Sequence, residues 1–281
     1  MPLEIVSLGT CNMDFIMKVP DFVEVDGEMY IENLQTSPGG SAFNFSANMS
    51  KLGLPSGLIT WIGNDYWGNI IQNDLKNRGI NSKRLKKIEY PTGKAFISVD
   101  NSGKRSIYSF LGANEKLKLT PEDTEYIKSS EMLHLTGIYW EVAQKAAKYA
   151  KKLSFAPGAL LSSYGIEKLK PVLQNTDILF LNEKEVEILT GNNIMEGSKL
   201  LIDEGVSAVI ITQGANGATL FVENKEIHDP VGKAKVVDTT GAGDAFAAGF
   251  VAKWISNKPW VECLHFANDY AKKCVGKMGP L

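Results

Sequence analysis

The chain has 281 residues, 44% hydrophobic and 22% charged, and 30 Lys+Arg against 32 Asp+Glu leave a formal charge of −2. That near-balance argues against a nucleic-acid binder driven by a broad basic field, and three scattered cysteines (Cys11, Cys263, Cys274) rule out a disulfide scaffold. No run reaches the ~18 to 20 apolar residues of a membrane helix, no Cys-x-x-Cys or His-Glu-x-x-His spacing offers a zinc site, and Glu4 and Gly9 interrupt the N-terminal apolar run, so no signal peptide is read and a cytoplasmic compartment is expected.

In chain order, Leu3–Leu8 is the first strand expected. Asp14–Leu34 reads as strand, rich in Phe, Tyr, Ile and Val with no helix. Ser41–Leu52 reads as a helix ending at Gly53, with Ala42, Phe45, Met49 and Leu52 at the spacing of one buried face. Gly57–Ile62 opens an alternation of apolar strands and helices that continues through Glu131–Leu135, Asp177–Leu181 and Ser207–Thr212. Lys94–Asp100 and Arg105–Leu111 flank Asn101, Ser102 and Gly103 as a hairpin. Thr120-Pro121 starts a helix, and Glu183–Thr190 is a helix closed by Gly191. The pattern is α/β with a mostly parallel sheet. Residues 1–11, 35–91 and 112–281 make its core, and residues 12–34 and 92–111 a small β-sheet lid.

Asp238-Thr-Thr-Gly-Ala-Gly-Asp244 carries the most chemistry. Lys235–Val237 reads as a strand leading into Gly241, Ala242 and Gly243, and Ala245–Ile255 is apolar nearly all round, hence a buried helix. Glycines at the mouth of such a helix let backbone N–H groups converge where the dipole is positive, forming an anion hole. It suits a transferred phosphoryl group, whose reaction needs charge stabilisation more than covalent help. Asp244 beside it is poorly placed to bind phosphate and well placed to take a proton from an attacking hydroxyl. A tight turn with Asp244 as a helix cap is the plain alternative.

That string resembles the C-terminal signature of the ribokinase-like (PfkB) family of small-molecule kinases, and further matches follow in family order along essentially the whole chain. They are Asn12-x-Asp14, Gly39-Gly40 followed by Asn44, Gly63-Asn-Asp65-x-x-Gly68, Gly112-Ala113-Asn114, Asn182-x-x-Glu185 and Thr212-x-Gly214-x-x-Gly217. The resemblance implies a ribokinase-like three-layer core and transfer of the γ-phosphoryl group of ATP. By it, Asp244 is the general base and the amides of Gly241 to Asp244 the anion hole. Asn12, Asp14, Gly39, Gly40 and Asn44 are substrate contacts. Thr212, Gly214 and Gly217 lie under the nucleotide, with Asn268 bordering the adenine. Asn182 and Glu185 organise water around Mg²⁺, although alone they read as a strand-end turn and a solvated helix face. Arg105 on the lid either reaches over the transferred phosphate or is solvated. Ser41 stands where many sugar-kinase relatives have Lys. Asp238 and Thr240 match positions that help hold a monovalent cation in some relatives, and the short stretch after Val275 leaves that cation open. The histidines His134, His228 and His265 are isolated and read as structural.

The aromatics Phe15, Phe43, Phe45, Phe96, Tyr108 and Phe110 offer flat faces for a base, and the run Ser154 to Gly158 resembles the compact archaeal nucleoside kinases of the family. The leading expectation is phosphorylation of the 5′-hydroxyl of a nucleoside. The alternatives are a kinase of a free sugar or sugar acid (ribose, fructose, 2-keto-3-deoxygluconate) and a non-catalytic sugar- or nucleotide-sensing relative. A phosphorylated acceptor needs more cations near Asp14 and Asn44, from among Lys18, Lys94, Lys104 and Arg105. The expected partners are a small substrate and ATP, with neither nucleic acid nor membrane. A lid with apolar edges could also join two copies as a homodimer.

Overall fold

The structure, a computed structural model, describes residues 5–223, 225–232 and 241–275. Its strands are β1 (Ile5–Gly9), β2 (Asn12–Lys18), β3 (Asn33–Gly39), β4 (Ser56–Gly63), β5 (Asn81–Ile88), β6 (Gly93–Val99) and β7 (Arg105–Phe110). They continue as β8 (Met132–Thr136), β9 (Leu153–Ala156), β10 (Ile178–Asn182), β11 (Ala208–Thr212), β12 (Ala218–Val222) and β13 (Lys225–Asp229). The helices are α1 (Ser41–Lys51), α2 (Tyr66–Asn77), α3 (Pro121–Ser129), α4 (Trp140–Ala147) and α5 (Gly158–Ser162). After them come α6 (Gly165–Leu173), α7 (Glu183–Thr190), α8 (Ile194–Asp203), α9 (Ala242–Trp254) and α10 (Trp260–Val275).

A nine-stranded sheet runs β13-β12-β11-β10-β9-β8-β1-β4-β5. It is parallel from β5 to β11, and β12 and β13 add antiparallel strands at one edge. Residue alternation sorts the side chains of its strands into two layers. Leu133, Leu135, Leu179, Leu181, Val209 and Ile211 pack with α3 to α8. Ile5, Met132, Ile178, Phe180 and Ile210 pack with α1, α9 and α10. The core is thus three-layered and its sheet mostly parallel, as expected. Thr120 and Asp123 form a reciprocal capping box ahead of Pro121 at the start of α3. Gly191, at φ 68, closes α7 as a left-handed cap.

A four-stranded sheet, β3-β2-β6-β7, stands apart from the large one. The β6–β7 hairpin forms at the expected residues and turns through Asp100 to Lys104. The strand region expected over Asp14–Leu34 holds the end of β2 and the start of β3, and between them Pro20, Asp21 and the turn before Gly27 interrupt the pairing. The small sheet takes in Asn33–Gly39, so residues 35–39 pair with β2 rather than with the core strands. Sequence reasoning missed β5, β9 and β13. Lys83, Arg84, Lys86 and Lys87 make β5 look like a solvated loop, yet charge is what protects an edge strand. No described helix is long and apolar enough to cross a membrane.

Candidate active site

A cavity of about 1040 Å³ lies outside the C-terminal ends of the parallel strands, between α1, α9 and the small sheet. Thr136, Ala156, Asn182 and Thr212, the last residues of β8, β9, β10 and β11, line its floor. An open α/β sheet leaves its strand ends and helix N-termini unpaired there, which is why ligands bind on that side.

Helix α9 enters from one side. Gly241 is its N-cap at φ 73, a left-handed conformation that suits glycine, and no side chain among the described residues caps the helix. Gly241, Ala242, Gly243 and Asp244 all line the cavity. Asp244 is partly open to it. Burial pushes its carboxyl up to about 7, against the opposing influence of the Asn44 hydrogen bond and of Arg105; Glu185 adds to the rise. Asn44 Nδ2 donates to Asp244 Oδ2 at 2.9 Å. The carboxylate is therefore oriented by one oxygen and suited to exchange a proton near neutral pH.

Asn44 comes from α1, which starts at Gly40. Gly40 has φ 92, and a Cβ there would also press on the Thr10–Asn12 backbone. A Cβ at Gly39 would run into the Asp14 carboxylate. The glycine pair thus lets the junction of β3 and α1 pass close beside residues 10–14, and Asn12, Asp14 and Asn44 all line the cavity. Asp14 and Asn44 are 3% and 4% exposed, and Asn44 Oδ1 has no hydrogen-bond partner among the described residues. A buried acceptor of this kind is costly unless a ligand supplies a donor. Arg105 and Ile107 face the same space from β7.

Thr212, Gly214, Gly217 and Asn268 also line the cavity. Gly214 and Gly217 make the turn between β11 and β12, as expected. Asn268 Nδ2 donates to the Asp229 carbonyl and to Asp229 Oδ2, each at 2.8 Å, so its donors pin α10 to β13 rather than pointing at a base. Asn182 and Glu185 cap α7 reciprocally: Glu185 N donates to Asn182 Oδ1 at 2.9 Å, and Asn182 N donates to Glu185 Oε2 at 3.0 Å. Both still line the cavity, and burial raises the Glu185 carboxyl against the effect of its bonds from Asn182.

Two expectations about the acceptor end are overturned. Phe43 and Phe45 are wholly buried in separate core clusters, because α1 turns its apolar face to the sheet and away from the cavity. The lid aromatics share a face, but it is the outer one. Register sets Asp14 opposite Ala95, and Ile16 and Ile107 opposite Ile97, so these residues face inward. Phe15, Phe96, Tyr108 and Phe110 then face away. Phe15 stacks on Phe96 at 5.1 Å and meets Trp67 edge-on. Of the four candidate cations only Arg105 lines the cavity, whereas Lys18 pairs with Glu32 at 3.3 Å and Lys94 lies over Phe110.

Glu183, Lys184 and Lys272 also line the cavity and were missed. Lys272 was findable: it follows Asn268 by four residues on α10, hence on the same face. Asp238, Thr240 and the expected strand Lys235–Val237 lie outside the described residues.

A helix start facing the cavity, a carboxylate oriented by Asn44 and pushed up to about 7, and a polar pocket beside it are the parts a phosphotransferase with a hydroxyl acceptor needs. The family model of the pfkB family carbohydrate kinases matches residues 2–281, and the chain belongs to that family. It is 32% identical to a nucleoside kinase of Methanocaldococcus jannaschii over 266 residues, covering 92% of this chain and 86% of that one. It is 30% identical to an ATP-dependent ribose-1-phosphate kinase of Halopiger xanaduensis, covering 99% and 93%. The structure of Arabidopsis thaliana ribokinase complexed with ribose and ATP superposes with TM-score 0.87 at 27% identity, covering 99% of this chain and 94% of that one. The chain is a kinase, which sets aside the non-catalytic reading.

Proposed function

We propose that the protein transfers the γ-phosphoryl group of ATP to a hydroxyl of a small ribose-containing molecule, with the 5′-hydroxyl of a nucleoside as its leading acceptor. The observation that carries the transfer is Asp244, held by Asn44 at 2.9 Å in the first turn of α9, whose N-cap is Gly241. The acceptor O–H gives its proton to Asp244 as its oxygen bonds to the γ-phosphorus. The bond to the leaving oxygen breaks, and that electron pair departs with ADP. The amides of Gly241 to Asp244 hold the negative charge that builds on the phosphoryl oxygens. Arg105, which lines the same cavity and acts electrostatically on Asp244, would add a cation near the transferred phosphoryl group.

Mg²⁺ would neutralise charge on the nucleotide phosphates when bound. Glu185 fits such an ion: it borders the cavity, and among the described residues the hydrogen bond its carboxylate accepts is the one to Oε2 from the Asn182 amide. One partly occupied carboxylate suits a cation that keeps several of its waters. Thr212, Gly214 and Gly217 would lie beneath the nucleotide, and Asn268 would shape its wall.

Asp14 and Asn44 suit adjacent ribose hydroxyls, since one accepts and the other both donates and accepts. The inner lid wall of Ala95, Ile97 and Ile107 gives a base an apolar surface, and Arg105 as the single lid cation in the cavity favours a neutral acceptor. The outward aromatics favour a second reading, a free sugar, because they remove the expected stacking platform. The same outer face, with Phe96, Tyr108 and Phe110 exposed, supports a homodimer through the lid. The test is ADP release with ATP and Mg²⁺ across nucleosides, ribose, fructose and ketodeoxygluconate. Nucleosides are expected to give the highest kcat/KM, and turnover of free sugars alone would replace the nucleoside reading.

A further inference from the structure

Two sequence strings have no part in the chemistry above, Gly63-Asn-Asp65-x-x-Gly68 and Gly112-Ala113-Asn114. The structure sets both at the root of the small sheet. Asp65 Oδ1 accepts from Gly68 N at 2.8 Å and from Thr92 Oγ1 at 2.6 Å, and its Oδ2 accepts from Thr92 N at 2.8 Å. Thr92 Oγ1 accepts in turn from Gly63 N at 3.0 Å. This ties the end of β4 to the residue just before β6. The Ala113 amide donates to the Pro91 carbonyl at 2.8 Å, joining the exit from β7 to the same point.

Asn114 closes the node. It is 6% exposed and is not part of the cavity wall. Its Oδ1 accepts from Cys11 N at 3.0 Å, and its Nδ2 lies 3.2 Å from the Cys11 carbonyl and 2.9 Å from the Leu111 carbonyl. Residue 11 is where the chain leaves β1 for β2, so Asn114 serves as strand partner exactly where no strand can. The same Nδ2 donates to Asn12 Oδ1 at 2.8 Å. Asn12 lines the cavity and Asn114 does not. With its oxygen tied to Asn114, which is not part of the cavity wall, Asn12 has its NH₂ group to offer the acceptor as a donor.

We infer that Asn114 is a positioning residue that fixes the Asn12 amide, so that Asn12 presents its NH₂ group as a hydrogen-bond donor to an oxygen of the acceptor. This rests on the reading of Asn12 as an acceptor contact. Beside it, Asp14 is acceptor-only when ionised, and Asn44 keeps Oδ1 without a described partner. The pocket then pairs one donor with acceptors, a set that reads the two-sided character of a diol and an adjacent ring or hydroxyl oxygen.

The experiment measures KM for adenosine and for ribose, KM for ATP, and Tm, in Asn12→Ala, Asn12→Asp, Asn114→Asp and the double variant Asn12→Ala/Asn114→Asp. Asn114→Asp still accepts from Cys11 N but can no longer donate to Asn12. The expected result is an acceptor KM raised about tenfold in each single variant, the worth of one hydrogen bond, with KM for ATP unchanged. The double variant is expected within about twofold of Asn12→Ala alone, because both substitutions remove one interaction. Multiplying effects, or a lower Tm for Asn114→Asp with acceptor KM unchanged, would overturn the positioning role. Asn12→Asp keeps the Asn114 bond and swaps the donor for an oxygen, so it reports on donor identity even if Asn114→Asp fails to fold; an unchanged acceptor KM there overturns the inference. An unchanged acceptor KM in Asn12→Ala, or neither acceptor binding at all, removes the underlying reading too.

Discussion

Helices α7 and α9 both begin at the cavity, at the same edge of the sheet, and they treat their first amides in opposite ways. At α7, Asn182 and Glu185 satisfy each other's backbone N–H groups, so the helix start is closed. At α9 the N-cap is Gly241, no side chain among the described residues caps, and the first turn lines the cavity. The carboxylates differ accordingly. Glu185 spends one oxygen on its own helix, whereas Asp244 is held from outside by Asn44. A helix N-terminus binds an anion only when its own sequence leaves the amides unclaimed. Under the proposed function, one helix would anchor the site and the other would supply its chemistry.

The largest expected effect falls on α9. Asp244→Asn should lower kcat by roughly 10²- to 10⁴-fold with little change in nucleotide affinity. The wild-type rate should fall as pH drops through about 7, where Asp244 takes up its proton and stops being a base. The variant should lack that limb. Stability runs the other way. Burial raises the folded carboxyl above its unfolded value, so its favourable contribution is complete below the unfolded value and is lost as pH rises through about 7. At pH 8 the Asn variant should therefore gain on the order of 1–3 kcal/mol, discounted because the side chain is partly open to solvent. Near-normal turnover, or no gain in Tm at pH 8, would mean that Asp244 is not the strained base of this helix.

The second test removes the opening without touching the base. A Cβ at Gly243 meets no atom of the described residues within 4 Å, and Gly243 lines the cavity. Gly243→Ala should keep or raise Tm, since Ala is better than Gly inside a helix by about 0.5–1 kcal/mol. It should also raise KM for ATP about tenfold or lower kcat by as much, the methyl standing where phosphate oxygens approach. Unchanged kinetics would show that phosphate does not bind at these amides.

How much of this was legible from sequence differs between the same two regions. The α9 string could be read because glycines before an all-apolar helix have few other uses, and the fold, set by alternation of strand and helix, followed. The α7 string was legible as a motif but not as a capping box, although Asn followed three residues later by Glu at a helix start is that signature. The lid was legible as a hairpin, and Tyr108 and Phe110 were correctly set on one face. Which face was not readable, since alternation gives parity without direction. Only the pairing of Ile97 with Ile107 and of Asp14 with Ala95 shows that the aromatics point outward. Asn114 was named only as a string, because its partners Cys11 and Asn12 lie about a hundred residues away in the chain.

The smallest expected effect is at α7, and it decides whether the contrast holds. Asn182→Ala deletes the side-chain oxygen that accepts from Glu185 N. Loss of such a cap costs about 1 kcal/mol, which for a domain of this size lowers Tm by roughly 2–4 °C. Glu185 can still cover the Asn182 amide, so its carboxylate should shift little, and kcat should change no more than about threefold. The residual effect should appear as a higher Mg²⁺ concentration for half-maximal rate, because a loosened first turn holds Glu185 less firmly. Circular-dichroism melts and a Mg²⁺ titration of the rate measure both. If instead Asn182→Ala leaves Tm unchanged and lowers kcat as far as Gly243→Ala does, then α7 also carries the chemistry, and its closed cap does not mark it as the anchoring helix.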